Sequence, residues 1–302
     1  MLVWHAHKAK VRELAFSPDG RWLASTAGDS VFCSVWEAAT GELVNGRLGY
    51  TARGFPRVGC PRVGFSPLGP LLTSSGAIVA AWDVEHDAPM RCWLYAGEFA
   101  DPAFAVSPDG VKLVMSKLQQ WLVFDNPTTG TPDKEKRVDR RVTIPVAVPT
   151  AFAFSSTGAH FAVADGSLEL WDPAPGKKPL RFLRDPAGSK ATHFAFDRAD
   201  SRVAVAFGKR VLVWSLADED PPPVQLRGHA GMVRAVGFLP SGGLLTAGMD
   251  GVVRVWDATS GNELRSLDWG IGKIQAATVS ADGTLCAAGS DDGHVVVWDT
   301  EG

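Results

Sequence analysis

Side chains that could do chemistry are scattered along this chain of 302 residues, and no recognised catalytic motif gathers them. The sequence contains no G-x-S-x-G nucleophile elbow, no H-E-x-x-H zinc helix and no G-x-x-x-x-G-K-[ST] phosphate loop. The stretch Gly270-Ile271-Gly272-Lys273 is basic and rich in glycine, but a strand-like run follows it. The sequence therefore predicts no catalytic residue, no cofactor and no enzyme activity.

The residue types that bind metals are also spaced unfavourably. The four cysteines form no C-x-x-C pair, which argues against a zinc or redox site, and they are Cys33, Cys60, Cys92 and Cys286. Asp-Gly pairs stand at 19–20, 109–110, 282–283 and 292–293 without the dense oxygen spacing of a calcium loop, so hairpin turns are the preferred interpretation. His160, His193 and His294 are isolated in strand-like runs. We expect no metal site.

The most informative polar residues lie between positions 228 and 257. They are His229, Thr246, Asp250 and Trp256. An imidazole, a hydroxyl, a carboxylate and an indole N–H can form one chain of hydrogen-bond donors and acceptors. The apolar runs around them, at 233–239, 244–247 and 252–256, are short and are cut by Gly, Pro and Asp, which is typical of strands. With a fourth strand at 262–267, the unit is a four-stranded antiparallel sheet that needs similar neighbours to bury its faces.

Gly-His at 228–229 followed by Trp-Asp at 256–257 resembles the repeat of the WD-repeat β-propeller family. The resemblance implies that these four residues form a structural tetrad inside one blade rather than a reactive site. It implies the same role for His7, Ser25, Asp29 and Trp36 in the first repeat. Another all-β repeat architecture is the alternative.

The spacing of one aromatic position indicates how many repeats there are. An aromatic residue closes the third strand at 36, 82, 124, 171, 214, 256 and 298, a period typical of propeller blades. We therefore predict an all-β, seven-bladed β-propeller with four antiparallel strands per blade, in one domain spanning 1–302. The predicted blades are 5–47, 55–95, 99–143, 146–183, 189–226, 228–267 and 270–302 with 1–4. Residues 1–4 should close the ring as the outer strand of the last blade, which would make the ring nearly complete.

Composition sets limits on partners and location. Thirty Lys and Arg against 33 Asp and Glu leave a net charge of −3, which argues against a nucleic-acid binder. The sequence has no signal-peptide pattern and no run of 18 apolar residues, so we expect no membrane span and a cytoplasmic location. A monomeric ring, or a module of a larger protein, is the expected form.

The predicted function is a non-catalytic scaffold that binds proteins or peptides. Loops before the first strands and turns between the second and third strands should share one face of the propeller. The residues predicted to bind a partner there are Lys8, Arg57, Phe99, Lys190, Lys209, Arg210, Met232 and Trp269. The connection 126–139 is the candidate on the opposite face. The alternative function, an enzyme or small-ligand binder using the central channel, is disfavoured because the first strands read as mainly apolar.

Overall fold

A computed structural model describes residues 1–28, 32–48, 62–75, 78–85, 88–94, 103–117, 120–125, 140–143, 151–172, 179–216 and 222–300. These residues form 28 strands and no helix, so no described segment is a helix that could span a membrane. The strands pair into seven antiparallel sheets of four strands each, which we call blades. The predicted all-β propeller is confirmed.

Blades 1 to 4 are formed by strands that follow one another along the chain. Blade 1 comprises β2 (Val11–Phe16), β3 (Trp22–Ala27), β4 (Cys33–Glu37) and β5 (Leu43–Leu48). Blade 2 comprises β6 (Arg62–Phe65), β7 (Leu71–Ser75), β8 (Ile78–Asp83) and β9 (Ala88–Leu94). Blade 3 comprises β10 (Phe104–Val106), β11 (Lys112–Lys117), β12 (Gln120–Asp125) and β13 (Arg140–Thr143). Blade 4 comprises β14 (Ala151–Phe154), β15 (Phe161–Asp165), β16 (Ser167–Trp171) and β17 (Arg181–Leu183).

Blades 5 and 6 repeat this order, and blade 7 takes its outer strand from the other end of the chain. Blade 5 comprises β18 (Ala191–Phe196), β19 (Arg202–Phe207), β20 (Arg210–Ser215) and β21 (Val224–Leu226). Blade 6 comprises β22 (Val233–Phe238), β23 (Gly243–Gly248), β24 (Val252–Asp257) and β25 (Glu263–Asp268). Blade 7 comprises β26 (Ile274–Val279), β27 (Leu285–Ser290), β28 (His294–Asp299) and β1 (Leu2–His5).

The turn between the first two strands of a blade is encoded locally. In blade 1 the Ser17 hydroxyl donates to Asp19 and accepts from the backbone N–H of Trp22, at 2.5 and 2.9 Å. Gly20 then takes a φ of +71°, which suits glycine. The same Ser–Asp–Gly arrangement closes the turns at 107–110 and 280–283. The Asp-Gly pairs at these positions are therefore hairpin turns, as predicted.

The hydrophobic core is divided among the interfaces between neighbouring blades. Leu72 of blade 2, for example, shares a buried cluster with Leu113 and Met115 of blade 3. The inner strand of each blade also packs beside that of the next, and β2 contacts both β6 and β26. Each blade thus buries its two faces against its neighbours, which is why a single repeat would not be stable alone. Cys33 and Cys286 are fully buried in these cores, as expected for small hydrophobic side chains.

The N-terminal strand completes the last blade. β1 pairs antiparallel with β28, from Leu2 opposite Val297 to His5 opposite His294. Trp4 packs towards Trp36 of blade 1, with ring centroids 5.8 Å apart. The Trp4 side chain is half-buried, and its indole nitrogen is shielded and lacks a hydrogen-bond acceptor among the described residues. The closure itself agrees with the prediction and leaves β28 without an open edge.

Candidate functional site

Blade 6 contains a continuous chain of four hydrogen-bonded side chains. The Trp256 indole N–H donates to the Thr246 hydroxyl at 2.8 Å, and that hydroxyl lies 2.8 Å from Nε2 of His229. Nδ1 of His229 lies 3.0 Å from both carboxylate oxygens of Asp250. Burial lowers the pKa of His229 although the Asp250 carboxylate acts to raise it, so the imidazole is neutral at neutral pH.

A neutral imidazole has one proton, and the neighbours of His229 decide where it sits. An ionised carboxylate only accepts hydrogen bonds, so Nδ1–H must donate to Asp250 and Nε2 must accept from Thr246. Burial acts to raise the pKa of Asp250, but the hydrogen bonds from His229 and from the backbone of Ala230, with the charge of Arg254, hold that pKa below its usual value. Every polar side-chain atom that joins these four residues therefore has a hydrogen-bond partner.

The surroundings of Asp250 explain what this tetrad achieves. Asp250 also accepts from the backbone N–H of Ala230 at 2.9 Å, in the loop before β22. A Cβ on Gly248 would lie 2.7 Å from both the Asp250 carboxylate and the His229 ring, so only glycine fits there. The tetrad thus joins the loop before β22 to the turn after β23 and orders both.

Other blades keep parts of this arrangement. In blade 1 the Ser25 hydroxyl lies 2.7 Å from His7 and accepts from the Trp36 indole at 2.8 Å, whereas Asp29 lies outside the described residues. In blade 2 the Trp82 indole donates to Thr73 at 2.8 Å. Sequence reasoning missed Thr73, but a signal exists. In blades 1, 2 and 6 the tryptophan on the third strand faces a residue of the second strand, and the Ser or Thr that bonds it lies two positions after that residue.

Trp269 is partly buried. Its ring packs on that of Trp298, with centroids 4.5 Å apart and planes at 44°, against the buried cluster between blades 6 and 7. Its role in binding a partner stays a prediction. Blade 7 has Ala288 at the position where blade 6 has Thr246, so no hydroxyl can bond the tryptophan there. Aromatic packing replaces the hydrogen-bonded tetrad in this blade.

The remaining predicted partner-binding residues divide into three groups. Lys8, Lys190, Lys209 and Met232 are exposed, and Met232 exposes 46% of its surface. Arg210 instead forms an ion pair at 2.5 Å with Asp185, whose side chain is fully buried. Arg57, Phe99 and the 126–139 connection lie outside the described residues.

Backbone hydrogen bonds place the exposed group on one face. The N–H of Met249, after β23, donates to the carbonyl of Met232, before β22, at 2.9 Å. The N–H of Gly28 donates to Lys10 in blade 1, and that of Asp291 donates to Lys273 in blade 7, at 3.0 and 2.9 Å. These bonds bring the loop before each inner strand beside the turn after the second strand. We call the surface formed by these loops and turns the top face.

The inner strands carry more charge than the sequence analysis recognised. Glu13 of β2 and Arg62 of β6 form an ion pair at 3.2 Å in the wall of a cavity of about 310 Å³ between the inner strands β2, β6, β10 and β14. His193 of β18 and Arg234 of β22 lie on the inner strands of blades 5 and 6. The mainly apolar reading of these strands was therefore incomplete. The five ionisable residues of the inner strands, which are Arg12, Glu13, Arg62, His193 and Arg234, were the available signal. No cluster of His, Cys, Asp and Glu suited to a metal occurs among the described residues.

Comparison with known proteins connects this geometry to a family. Residues 1–33, 221–257 and 262–299 match the family model described as "WD domain, G-beta repeat". These segments include the complete tetrad of blade 6 and the strands that close the ring.

Three relatives show the same kind of similarity over part of the chain. The WD repeat-containing protein RUP2 of Arabidopsis thaliana is 30% identical over 144 residues, which are 45% of this chain and 39% of that protein. The small ribosomal subunit protein RACK1y of Oryza sativa is 38% identical over 25% of this chain and 24% of its own. The MST50-interacting protein 11 of Pyricularia oryzae is 31% identical over 48% of this chain and 47% of its own. The chain thus spans less than half the length of each of these relatives. The tetrad, the blades and these matches show that the chain has a β-propeller fold and contains segments similar to WD repeats.

Proposed function

We propose that residues 1–302 form a single propeller that serves as a non-catalytic scaffold for protein or peptide partners, which it binds through the top face. The observation that supports this most directly is the exposure of Lys8, Lys190, Lys209 and Met232 on that face. They come from blades 1, 5 and 6, which the inter-blade cores hold in fixed positions. A surface assembled from several blades presents its side chains with little ordering entropy, which favours binding.

The chemistry of this face indicates the type of partner. Lysines at the edge of an interface attract acidic segments and speed association, while methionine is among the residue types enriched at interfaces. We therefore propose an acidic protein segment with an apolar or aromatic residue that contacts Met232. One relative is named as an interacting protein of another protein, which supports partner binding as the proposed activity. A cytoplasmic location and the absence of nucleic-acid binding are part of the same proposal.

The test compares two matched double variants. Lys190→Glu with Lys209→Glu reverses two charges on the top face. Arg198→Glu with Arg265→Glu reverses two exposed charges elsewhere, on the turn between β18 and β19 and on the outer strand β25. A partner is captured with the unmodified protein and identified, and its Kd is then measured for each variant at two salt concentrations. All variants should keep the melting temperature within a few degrees, as surface substitutions usually do.

We expect the top-face variant to bind at least tenfold more weakly at low salt, with a smaller difference at high salt because exposed charges are screened. The control variant should bind as the unmodified protein does. Full binding by the top-face variant and loss by the control would place the partner on another surface. Multiple turnovers of a substrate by the purified chain would contradict the non-catalytic assignment.

A further inference from the structure

Blade 5 has a buried ion pair where blade 6 has its tetrad. Asp185 follows the end of β17 by two residues, just as Gly228 follows the end of β21. Asp185 therefore stands in the loop before β18 at the place that the Gly-His pair takes before β22. Its side chain is fully buried, and it accepts from Arg210 at 2.5 Å. It also accepts from the backbone N–H groups of Ala187 and Ser189, both at 3.1 Å.

This environment keeps Asp185 ionised. Burial acts to raise its pKa, but the hydrogen bonds from Ala187 and Ser189 and the charge of Arg210 hold that pKa below its usual value. The carboxylate therefore fixes one end of the Arg210 guanidinium. The rest of the guanidinium is left on the surface, because the Arg210 side chain is 34% exposed.

The surface beside this ion pair is filled in blade 6 and open in blade 5. In blade 6 a Cβ added to Gly228 would lie 3.0 to 3.2 Å from side-chain atoms of Trp256, Glu263 and Arg254, so these side chains cover the loop. Arg254 stands two residues before the tryptophan of β24, and the shorter Leu212 takes that place in β20. A pocket of about 410 Å³ lies here, and we call it the blade 5 pocket. Its walls include Asp185, Pro186, Arg210, Leu212, Pro223 and Gln225.

The polar side chains of the blade 5 pocket offer hydrogen-bond donors. Nε and Nη1 of Arg210 make no hydrogen bond to a described residue, since its bond to Asp185 uses Nη2. Oε1 of Gln225 accepts from the Arg227 guanidinium at 2.8 Å. A guanidinium only donates, so the NH2 group of the Gln225 amide is the part left for a ligand. The ligand that fits these groups is an acceptor.

The charges favour an acceptor with one negative charge. Asp185 and Arg210 neutralise each other. The guanidinium of Arg227, which is bonded to Gln225, has no acidic partner in the described part of the chain. One positive charge therefore stands beside the Gln225 amide. A carboxylate brings one negative charge and matches the planar fork of Arg210, whereas a phosphate dianion would bring two.

The remaining walls favour an aliphatic stem next to that carboxylate. Leu212, Pro186 and Pro223 are apolar, and the volume lies within the range of ligand sites with mainly apolar walls and a few polar groups. A glutamate side chain combines two methylene groups with a carboxylate. Arg210 directly follows Lys209, one of the exposed lysines of the top face, so a segment bound at that face can reach the pocket.

We propose that the blade 5 pocket binds one glutamate side chain of the acidic partner segment. Its carboxylate accepts from Arg210 and Gln225, and its methylene groups contact Leu212. This inference rests on the proposed function, because it assigns a contact to the same kind of partner. The top-face lysines attract the segment, and the pocket holds one of its residues.

The first experiment tests the ligand chemistry on the unmodified chain. The backbone amide signals of Leu212 and Gln225 are followed by NMR at pH 7 during titration with blocked peptides. The probes are Ala-Leu-Glu-Leu-Ala, the same peptide with glutamine in place of glutamate, and the same peptide with phosphoserine there. We expect a saturable shift with the glutamate peptide, at a Kd of about 1 mM or tighter, and binding at least tenfold weaker for the other two.

The second experiment changes the pocket without removing the buried ion pair. Gln225→Glu keeps the side-chain size and places a carboxylate beside Arg227, which can pair with it. The added charge should repel the ligand and weaken binding of the glutamate peptide at least tenfold. The matched control is Asn262→Asp, which makes the same change of charge on the exposed turn before β25 and should bind as the unmodified chain does.

A further variant tests the fork of Arg210. Arg210→Lys keeps the positive charge beside Asp185 but loses the planar pair of donors, so it should also weaken binding of the glutamate peptide. Arg198→Lys, on the exposed turn between β18 and β19, is its control and should have no effect. The melting temperature of each variant checks that the fold is kept.

The proposal and the proposed function can fail separately. Loss of a captured partner by the variant with Lys190→Glu and Lys209→Glu, with full binding by Gln225→Glu, would overturn the pocket and leave the top-face function standing. Loss by Gln225→Glu alone would support the pocket and refute the lysine contacts. The pocket is also overturned by the absence of a saturable shift, by equal binding of the glutamine peptide, or by a preference for the phosphoserine peptide.

Discussion

The tetrad of blade 6 leads to a quantitative prediction for Thr246→Val. The side chain of Thr246 is fully buried, and its hydroxyl both accepts from Trp256 and donates to His229. Valine has the same shape but makes neither bond. Each lost hydrogen bond costs roughly 1 kcal/mol net, and a buried donor left unsatisfied costs about 1–3 kcal/mol. The added methyl returns about 0.8 kcal/mol, so we expect stability to fall by about 2–3 kcal/mol.

The matched control is Thr73→Val in blade 2. Thr73 is also buried, but its hydroxyl is bonded to only one described side chain, Trp82. The loss there should be about half of that at Thr246. The free energy of unfolding is measured by urea denaturation, with an unchanged slope as the check that only stability has changed. Equal losses at both positions, or a loss below about 0.5 kcal/mol at Thr246, would refute the account of the tetrad as a chain in which each bond adds stability.

Two further predictions concern ring closure and pH. Removing residues 1–5 should lower the melting temperature and cause self-association in size-exclusion chromatography, because β28 loses its partner strand and Trp36 loses its contact with Trp4. The control is Val3→Ser, which changes an exposed side chain. A deletion variant that stays monomeric and equally stable would contradict this closure. The pKa of His193 is lowered from 6.5 to about 4 in the folded chain, so the unfolded state binds a proton first and stability should decline as pH falls from 6.5 to 4. His193→Gln should reduce that decline by at most about 3 kcal/mol in urea titrations at each pH, and an unchanged decline would contradict the assigned environment.

Features that depend on neighbours in the sequence were predicted correctly. The Ser–Asp–Gly turns close through hydrogen bonds that span five residues or fewer, so their residue types alone specify a hairpin. In blade 6 the register of three consecutive strands is set by their lengths and turns. This register places Thr246 of β23 where it can bond both His229 and Trp256. The closing strand was also predictable, because the last repeat has three strands and residues 2–4 supply an apolar fourth.

Features that depend on contacts between blades could not be read from the chain. Arg210 looks like a free surface cation in sequence, but the loop that contains Asp185 folds onto it from the preceding blade. The contact between Trp269 and Trp298 cannot be seen in the sequence, because it forms only when blade 7 packs beside the loop that precedes it.

Only the packing of blade 1 beside blade 2 places Glu13 next to Arg62. Local sequence determines the strands and turns because their hydrogen bonds join residues that lie close together in the sequence. The charge and shape of the channel depend on the positions of all the inner strands around the ring, which tertiary packing alone decides.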